Sequence, residues 1–182
     1  MKRLFVLFVA VLISIRAFAG VGIVGGVTAP RGNIDMKALE MFHAGLAVNI
    51  ELPAGFALQP EILYSVKGAT VEELRTNVKM GYIEVPLQIQ WGLNLAKRNF
   101  RVYAFGEPFV GYNLSTNPIN PQTSIGEVVD KLEYGLGLGL GLQLFKHIQI
   151  SGAYVWNLDG QRLNTFKTTN PHGARLSLAI LF

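Results

Sequence analysis

A chain of 182 residues, 50% apolar and only 15% charged, has the length of one domain and too little charge for a disordered one. It contains no cysteine, which excludes a disulfide framework, a zinc–thiolate site and thiol catalysis. The formal net charge is +4, but Lys2, Arg3 and Arg16 supply three of those charges, and the remaining Lys and Arg form no run that would suit nucleic acid.

The N-terminus reads MKRLFVLFVAVLISIRAFAG. A basic start (Lys2, Arg3), an apolar core from Leu4 to Ile15 and the small-x-small triplet Ala17-Phe18-Ala19 are the layout of an export signal cut between Ala19 and Gly20. A membrane anchor is the competing reading, but the apolar core falls short of the roughly 20 residues a spanning helix needs. Cutting there divides the chain into a leader, 1–19, and one barrel domain, 20–182, whose formal charge is +1 once the three basic residues are gone.

Period-two alternation, the mark of a strand with unlike faces, recurs eight times in the remainder. The segments are Gly20–Thr28, Phe42–Leu52, Phe56–Lys67, Val78–Leu93, Phe100–Leu114, Lys131–Leu144, Ile148–Leu158 and Gly173–Phe182. The connections 53–55, 94–99 and 145–147 are short; 29–41, 68–77, 115–130 and 159–172 are long and polar. Within 68–77 the run TVEELR resembles a helix start, with Thr70 as cap and Glu73 three residues on. In an up-and-down meander, alternate connections lie at opposite ends. One trimmed end and one elaborated end is the habit of outer-membrane barrels, with tight periplasmic turns and larger extracellular loops.

The segment YGLGLGLGLQL decides which face is which. Gly135, Gly137, Gly139 and Gly141 occupy one face, and Leu136, Leu138, Leu140 and Leu142 the other. A water-soluble barrel would turn the leucines inward and leave bare backbone facing water. In a narrow membrane barrel the leucines meet lipid, and the glycines form a lumen wall with room for bulk from the opposite wall. The same parity in the other strands places no Asp, Glu, Lys or Arg outward. It gathers Asn49, Glu51, Gln59, Glu61, Glu84, Gln88, Gln90, Arg101, Glu107, Gln149, Ser151, Arg175 and Ser177 inward. Tyr82, Tyr103, Phe105 and Phe109 also fall inward: either they are the bulk over the glycines or a bulge shifts the frame. Outward aromatics sort to strand ends as two belts. Phe56, Trp91, Phe100 and Phe182 form the periplasmic one; Phe42, Tyr64, Tyr112, Tyr134 and Trp156 form the extracellular one.

Glu61, Glu84, Arg101, Glu107 and Arg175 form the candidate lumen charge network, because buried charges must be paired. A structural plug is the favoured reading and a proton or ion path the sharper one. His43 and His172, with Ser115, Ser124 and Asp159, invite comparison with lipid-modifying barrel enzymes, but their spacing demonstrates no converging triad and no G-x-S-x-G occurs. The glycine run is not a dinucleotide fingerprint, since leucine stands where G-x-G-x-x-G needs its third glycine. No metal-ligand spacing and no cofactor motif appears, so no cofactor is expected.

LQPEILYSVKGA (58–69), followed by GYIEVPLQIQW (81–91), resembles the PorT-like outer-membrane β-barrel family of the Bacteroidota. In that family a Q-P-E-x-x-Y-S-x-K-G strand precedes a Y-x-E-[IV]-P-L strand. YAFGEPFVGYNL (103–114), the glycine strand and the aromatic C-terminus also fit. The resemblance implies a barrel fold and offers no catalytic residues; one namesake takes part in assembling a protein-secretion system. The terminal Phe182 resembles the signal read by the barrel-assembly machinery, which would make that machinery a partner in biogenesis.

The expectation is therefore an all-β chain: an eight-stranded antiparallel up-and-down transmembrane β-barrel in the outer membrane, long loops extracellular and termini periplasmic. Its expected surroundings are outer-membrane lipid and an envelope protein partner, with no nucleic acid. The expected role is non-enzymatic, structural or surface-interacting through four long loops. An accessory factor for secretion or envelope assembly and a lipid-modifying enzyme are the alternatives.

Overall fold

The computed structural model describes residues 19–30, 41–71, 76–95, 99–118, 132–158, 162–163, 166–167 and 173–182. In chain order the strands are β1 (Ala19–Pro30), β2 (Phe42–Glu51), β3 (Phe56–Val71), β4 (Thr76–Leu95), β5 (Phe100–Pro118), β6 (Leu132–Leu144), β7 (Ile148–Asn157), β8 (Arg162–Leu163), β9 (Phe166–Lys167) and β10 (Gly173–Leu181). Eight of them close into a barrel in the order β1-β10-β7-β6-β5-β4-β3-β2, every neighbouring pair antiparallel. Among the described residues the short β8 and β9 pair only with each other. Closure removes both sheet edges, so the backbone of the barrel wall is hydrogen-bonded without help from solvent, as a lipid surround demands.

Alternating side chains give the wall two chemistries. Along β10 burial switches with every residue from Gly173 to Leu181. The outer surface carries Ile62, Ile89, Val110, Leu138, Leu140, Leu176 and Leu178, all exposed. The enclosed side holds the polar set together with a small apolar cluster of Val24, Ala47, Leu63 and Ala179. Among the described residues no helix is long and apolar enough to cross a membrane; crossing falls to the strands.

Two tight turns close one end of the barrel. Between β2 and β3 a 3-10 turn, Pro53–Gly55, takes the chain through left-handed backbone at Ala54 (φ 61°) and Gly55 (φ 81°). A side chain on Gly55 would collide with the carbonyl oxygen of Gly92. Between β6 and β7 the His147 amide donates to Leu144 O at 3.0 Å, with φ 51° at Phe145 and 65° at Lys146. That is a type I′ turn, whose hand matches strand twist, made here from Phe-Lys rather than Asn-Gly.

The structure corrects the sequence reading at the opposite end. Residues 68–77 are not one long loop: 68–71 and 76–77 are strand, and the rest of the suggested helical turn, 72–75, lies outside the described residues. β3 and β4 run on through Gly68↔Lys79, Ala69↔Val78, Thr70↔Asn77 and Val71↔Thr76, leaving 72–75 between them. β5 also continues to Pro118, pairing with β4 as far as Val78. The connections on this side are therefore 31–41, 72–75, 119–131 and 158–172; the last contains the β8–β9 pair. Competing local signals lost here: the cap spacing of Thr70 and Glu73 favours a helix, but cross-strand pairing on both sides of β4 overrides it.

The glycine wall also differs in one respect. The bulk over it comes from the adjacent strand, not from the opposite wall. Register places Tyr103 opposite Gly141, Phe105 opposite Gly139, Glu107 opposite Gly137 and Phe109 opposite Gly135. A Cβ added to Gly135 would sit 2.5 Å from the Phe109 ring, and one on Gly139 2.5 Å from the Phe105 ring. The Tyr103, Phe105 and Phe109 rings thus occupy the space that side chains at Gly141, Gly139 and Gly135 would fill. Tyr82, Tyr103, Phe105 and Phe109 are all enclosed, and the one register irregularity of the β4–β5 pair falls between Gly81 and Tyr82.

Candidate functional site

Inward parity on five strands brings five charged side chains together inside the barrel. β10 supplies Arg175, whose Nη1 donates to Glu107 Oε1 of β5 at 2.7 Å and whose Nη2 donates to Glu84 Oε2 of β4 at 3.0 Å. β3 supplies Lys67, which pairs with Glu84 and with Glu133 of β6 and lies 5.1 Å from the Tyr82 and Phe109 ring centroids. The sequence of charges is Glu133, Lys67, Glu84, Arg175, Glu107, alternating in sign throughout. Each cation touches two carboxylates, which offsets the cost of enclosing it. β10 is hydrogen-bonded to β1 and β7, so its two bonds to β4 and β5 cross the lumen rather than follow the wall.

Amides extend this core towards both mouths. Asn157 donates to Glu133 at 3.1 Å on the long-loop side. On the other side Gln88 donates to Glu107 at 2.9 Å, Gln90 to Gln88 at 3.1 Å, and Arg101 to Gln90 at 2.8 Å. Gln59 joins the same set, accepting from Asn49 (2.8 Å) and Gln90 (3.2 Å) while donating to Glu61 (2.8 Å). Of the five charges singled out from sequence, Glu84, Glu107 and Arg175 are ion-paired. Glu61 and Arg101 reach the network through glutamines, and among the described residues neither is ion-paired.

Lys67 and Glu133 belong to the core and were not singled out from sequence. Parity contained the signal, since Lys67 shares the face of Gln59 and Glu61, and Glu133 the face of the glycines. Lys67 closes the strand segment that alternation marks and Glu133 nearly opens its own, and at such positions a long side chain ordinarily points into solvent.

Of the aromatics assigned to the two belts, Phe42, Phe56, Tyr64, Trp91, Tyr112, Tyr134 and Phe182 are exposed, and Phe100 and Trp156 are half-buried. Phe56 pairs with Trp91, and the Phe182 amide donates to Val21 O at 2.8 Å, both at the tight-turn end, where Phe100 is half-buried opposite Leu144. Towards the other end the Phe42 and Tyr64 rings are 6.4 Å apart, Tyr112 and Tyr134 are exposed, and Trp156 meets Tyr154 edge-on at 4.7 Å. Phe145, in the type I′ turn, is a further exposed aromatic that parity could not assign. Gly20 pairs with Asn49 and Ala19 with Ile50; 1–18 lie outside the described residues.

The enzyme reading gains no geometry. His43 is buried with its Nε2 2.9 Å from Ser177 Oγ, a nucleophile–base distance, but its Nδ1 has no hydrogen-bond partner among the described residues to orient it. Ser115 lies on β5, and Ser124, Asp159 and His172 lie outside the described residues. No group of three or more His, Asp or Glu among the described residues is placed to hold a metal.

The family model described as outer membrane protein beta-barrel domain matches residues 12–160, most of the chain. The chain belongs to that family. As an outer-membrane β-barrel it sits in the lipid bilayer, consistent with a closed wall that is apolar outside and charged within. No curated protein sequence matches it. Solved structures with similar folds include the N-terminal β-barrel domain of Pseudomonas aeruginosa OprF (10% identity, 90% of this chain and 97% of that one, TM-score 0.47). A major outer membrane protein of Thermus thermophilus (15%, 90% and 99%, TM-score 0.49) and Ail, the attachment invasion locus protein of Yersinia pestis (15%, 90% and 96%, TM-score 0.48), are similar to a comparable degree.

Proposed function

We propose that this outer-membrane barrel is a non-enzymatic surface-interaction protein of the PorT-like group, exported by a leader cut after Ala19, with its elaborated end outside the cell. The observation that carries the reading is a fin. Beyond Ser65, β3 has no pairing to β2 among the described residues, and beyond Tyr112, β5 has none to β6, yet both remain paired to β4. Residues 68–71, 76–79 and 117–118 therefore continue the sheet past the enclosed part of the barrel. Four residues of strand extend it by about 13 Å. Such an extension adds nothing to a lipid-spanning wall, whose strands need only about 9–11 residues; it suits contact with something beyond the membrane. The internally paired lumen charges support the plug, and with it the absence of chemistry inside.

Two arms test this. A peptide epitope inserted between Val71 and Thr76 should be labelled by antibody on intact cells; labelling only after permeabilisation would reverse the orientation. Replacing Gly68–Lys79 by Asn-Gly should leave the heat-dependent gel shift of the folded barrel intact while removing any partner crosslinked to the full chain in whole cells. An unchanged crosslinking pattern, or altered lipid A in a deletion strain, would contradict the interaction role.

A further inference from the structure

At the tight-turn end, away from the fin, a cavity of about 190 Å³ opens between the lumen and the rim, with Arg101, Gln143 and Lys146 in its lining. Arg101 is 6% exposed, and its environment differs from that of the other enclosed cations. Lys67 and Arg175 each touch two carboxylates. Arg101 instead donates to two neutral carbonyl oxygens, Gln90 Oε1 at 2.8 Å and Gly55 O at 3.1 Å, and lies 5.1 Å from the Tyr103 ring centroid. A guanidinium has five N–H donors, and a buried cation whose hydrogen bonds go to neutral oxygens, with no ion pair among the described residues, gains from an anion.

Lys146 supplies the second cation, and its backbone is unusual. Lys146 and Phe145 both sit at positive φ in a type I′ turn that Asn-Gly would form without strain. Non-glycine residues in left-handed backbone occur at this end only among the described residues, at Ala54 in the first turn and at Phe145 and Lys146 here, and both Ala54 and Lys146 line the cavity. Strain kept at such a place points to a task there. Lys146 is exposed at the cavity, and its carbonyl is tied at 3.2 Å to Gln143, another lining residue. The acid in the lining is Glu51, which parity placed inward but which, as the last residue of β2, is exposed at the rim; two cations stand against one carboxylate.

We propose that this mouth cavity binds a phosphate group between Arg101 and Lys146. Arg101 recognises it as a planar multiple donor and Lys146 as a mobile charge. Phe56 borders the same cavity and is exposed on the outer face, so the phosphate belongs either to a lipid headgroup entering from the belt or to a soluble phosphate entering from the mouth.

The test uses the full barrel, with ¹⁵N-labelled arginine, in a phosphate-free maltoside micelle. It is titrated separately with inorganic phosphate and with phosphatidylglycerol, and the Arg101 side-chain resonance is followed. Shifts saturating in the millimolar range or below with both probes indicate that phosphate alone suffices; saturation with phosphatidylglycerol alone identifies the headgroup. No saturation with either overturns the proposal. Lys146→Gly should raise the thermal midpoint of unfolding by relieving strain and weaken binding by about tenfold, the loss of one charge-assisted contact. Arg101→Gln should weaken it at least as much, and Glu51→Gln should tighten it. A Lys146→Gly protein that is more stable and binds as before overturns the two-cation site, whether or not the Arg101 variant folds.

Discussion

Arg175→Met is expected to destabilise the folded barrel by about 3–5 kcal/mol, the range for breaking an enclosed ion pair from one side. Arg175 is 5% exposed and Glu84 fully enclosed, so neither carboxylate left behind can recover hydration. Glu84 would keep Lys67, and Glu107 would keep the amide of Gln88 at 2.9 Å, but both bonds across the lumen would be gone. Arg175→Lys should recover only part of the loss, because one ammonium cannot reproduce a fork that reaches two carboxylates on different strands. Replacing all three charges, Glu84→Gln with Glu107→Gln and Arg175→Met, should recover most of it, since a network neutralised as a unit leaves fewer stranded charges. Urea unfolding in lipid vesicles, followed by heat-dependent gel mobility, measures each variant. An Arg175→Met barrel within about 1 kcal/mol of the parent would show that the cross-lumen bonds do not hold the walls together.

Leu140→Arg is expected to cost about 2–4 kcal/mol, and Leu132→Arg about 0–1 kcal/mol, because the penalty for a lipid-facing arginine falls from the midplane to the interface. Leu140 is 69% exposed and pairs with Ala104 and Gly152, whereas Leu132 opens β6 opposite Tyr112 of the aromatic belt. The two leucines share a face and a strand, so depth is the main difference between them. Equal, small costs at both positions would mean that water rather than hydrocarbon surrounds the barrel. The same unfolding assay in vesicles decides.

Much of this was legible in the chain. Period-two patterning marks each wall strand because a side chain can face only lipid or lumen, and the glycine–leucine alternation of β6 states that division in its plainest form. Ion-pair partners were not legible, since Arg175 meets Glu84 only through the stagger at which β10 closes onto β1 and β7. The fin was hidden for a different reason. Gly68, Asn77 and the Thr70–Glu73 spacing are poor strand signals, and their pairing is imposed by neighbours rather than by local preference. The 145–147 connection was legible as a short turn, but its left-handed backbone was not, because nothing in Phe-Lys announces positive φ.

The central claim is that the exposed apolar face touches hydrocarbon, and methyl NMR of leucine-labelled barrel in nanodiscs measures it without any substitution. Cross-relaxation to acyl-chain protons should appear for Leu138, Leu140, Leu176 and Leu178 and be absent for Leu63 and Leu181, which are 1% and 3% exposed. Acyl-chain contacts at Leu63 and Leu181, with Leu140 showing contacts only to water, would contradict it.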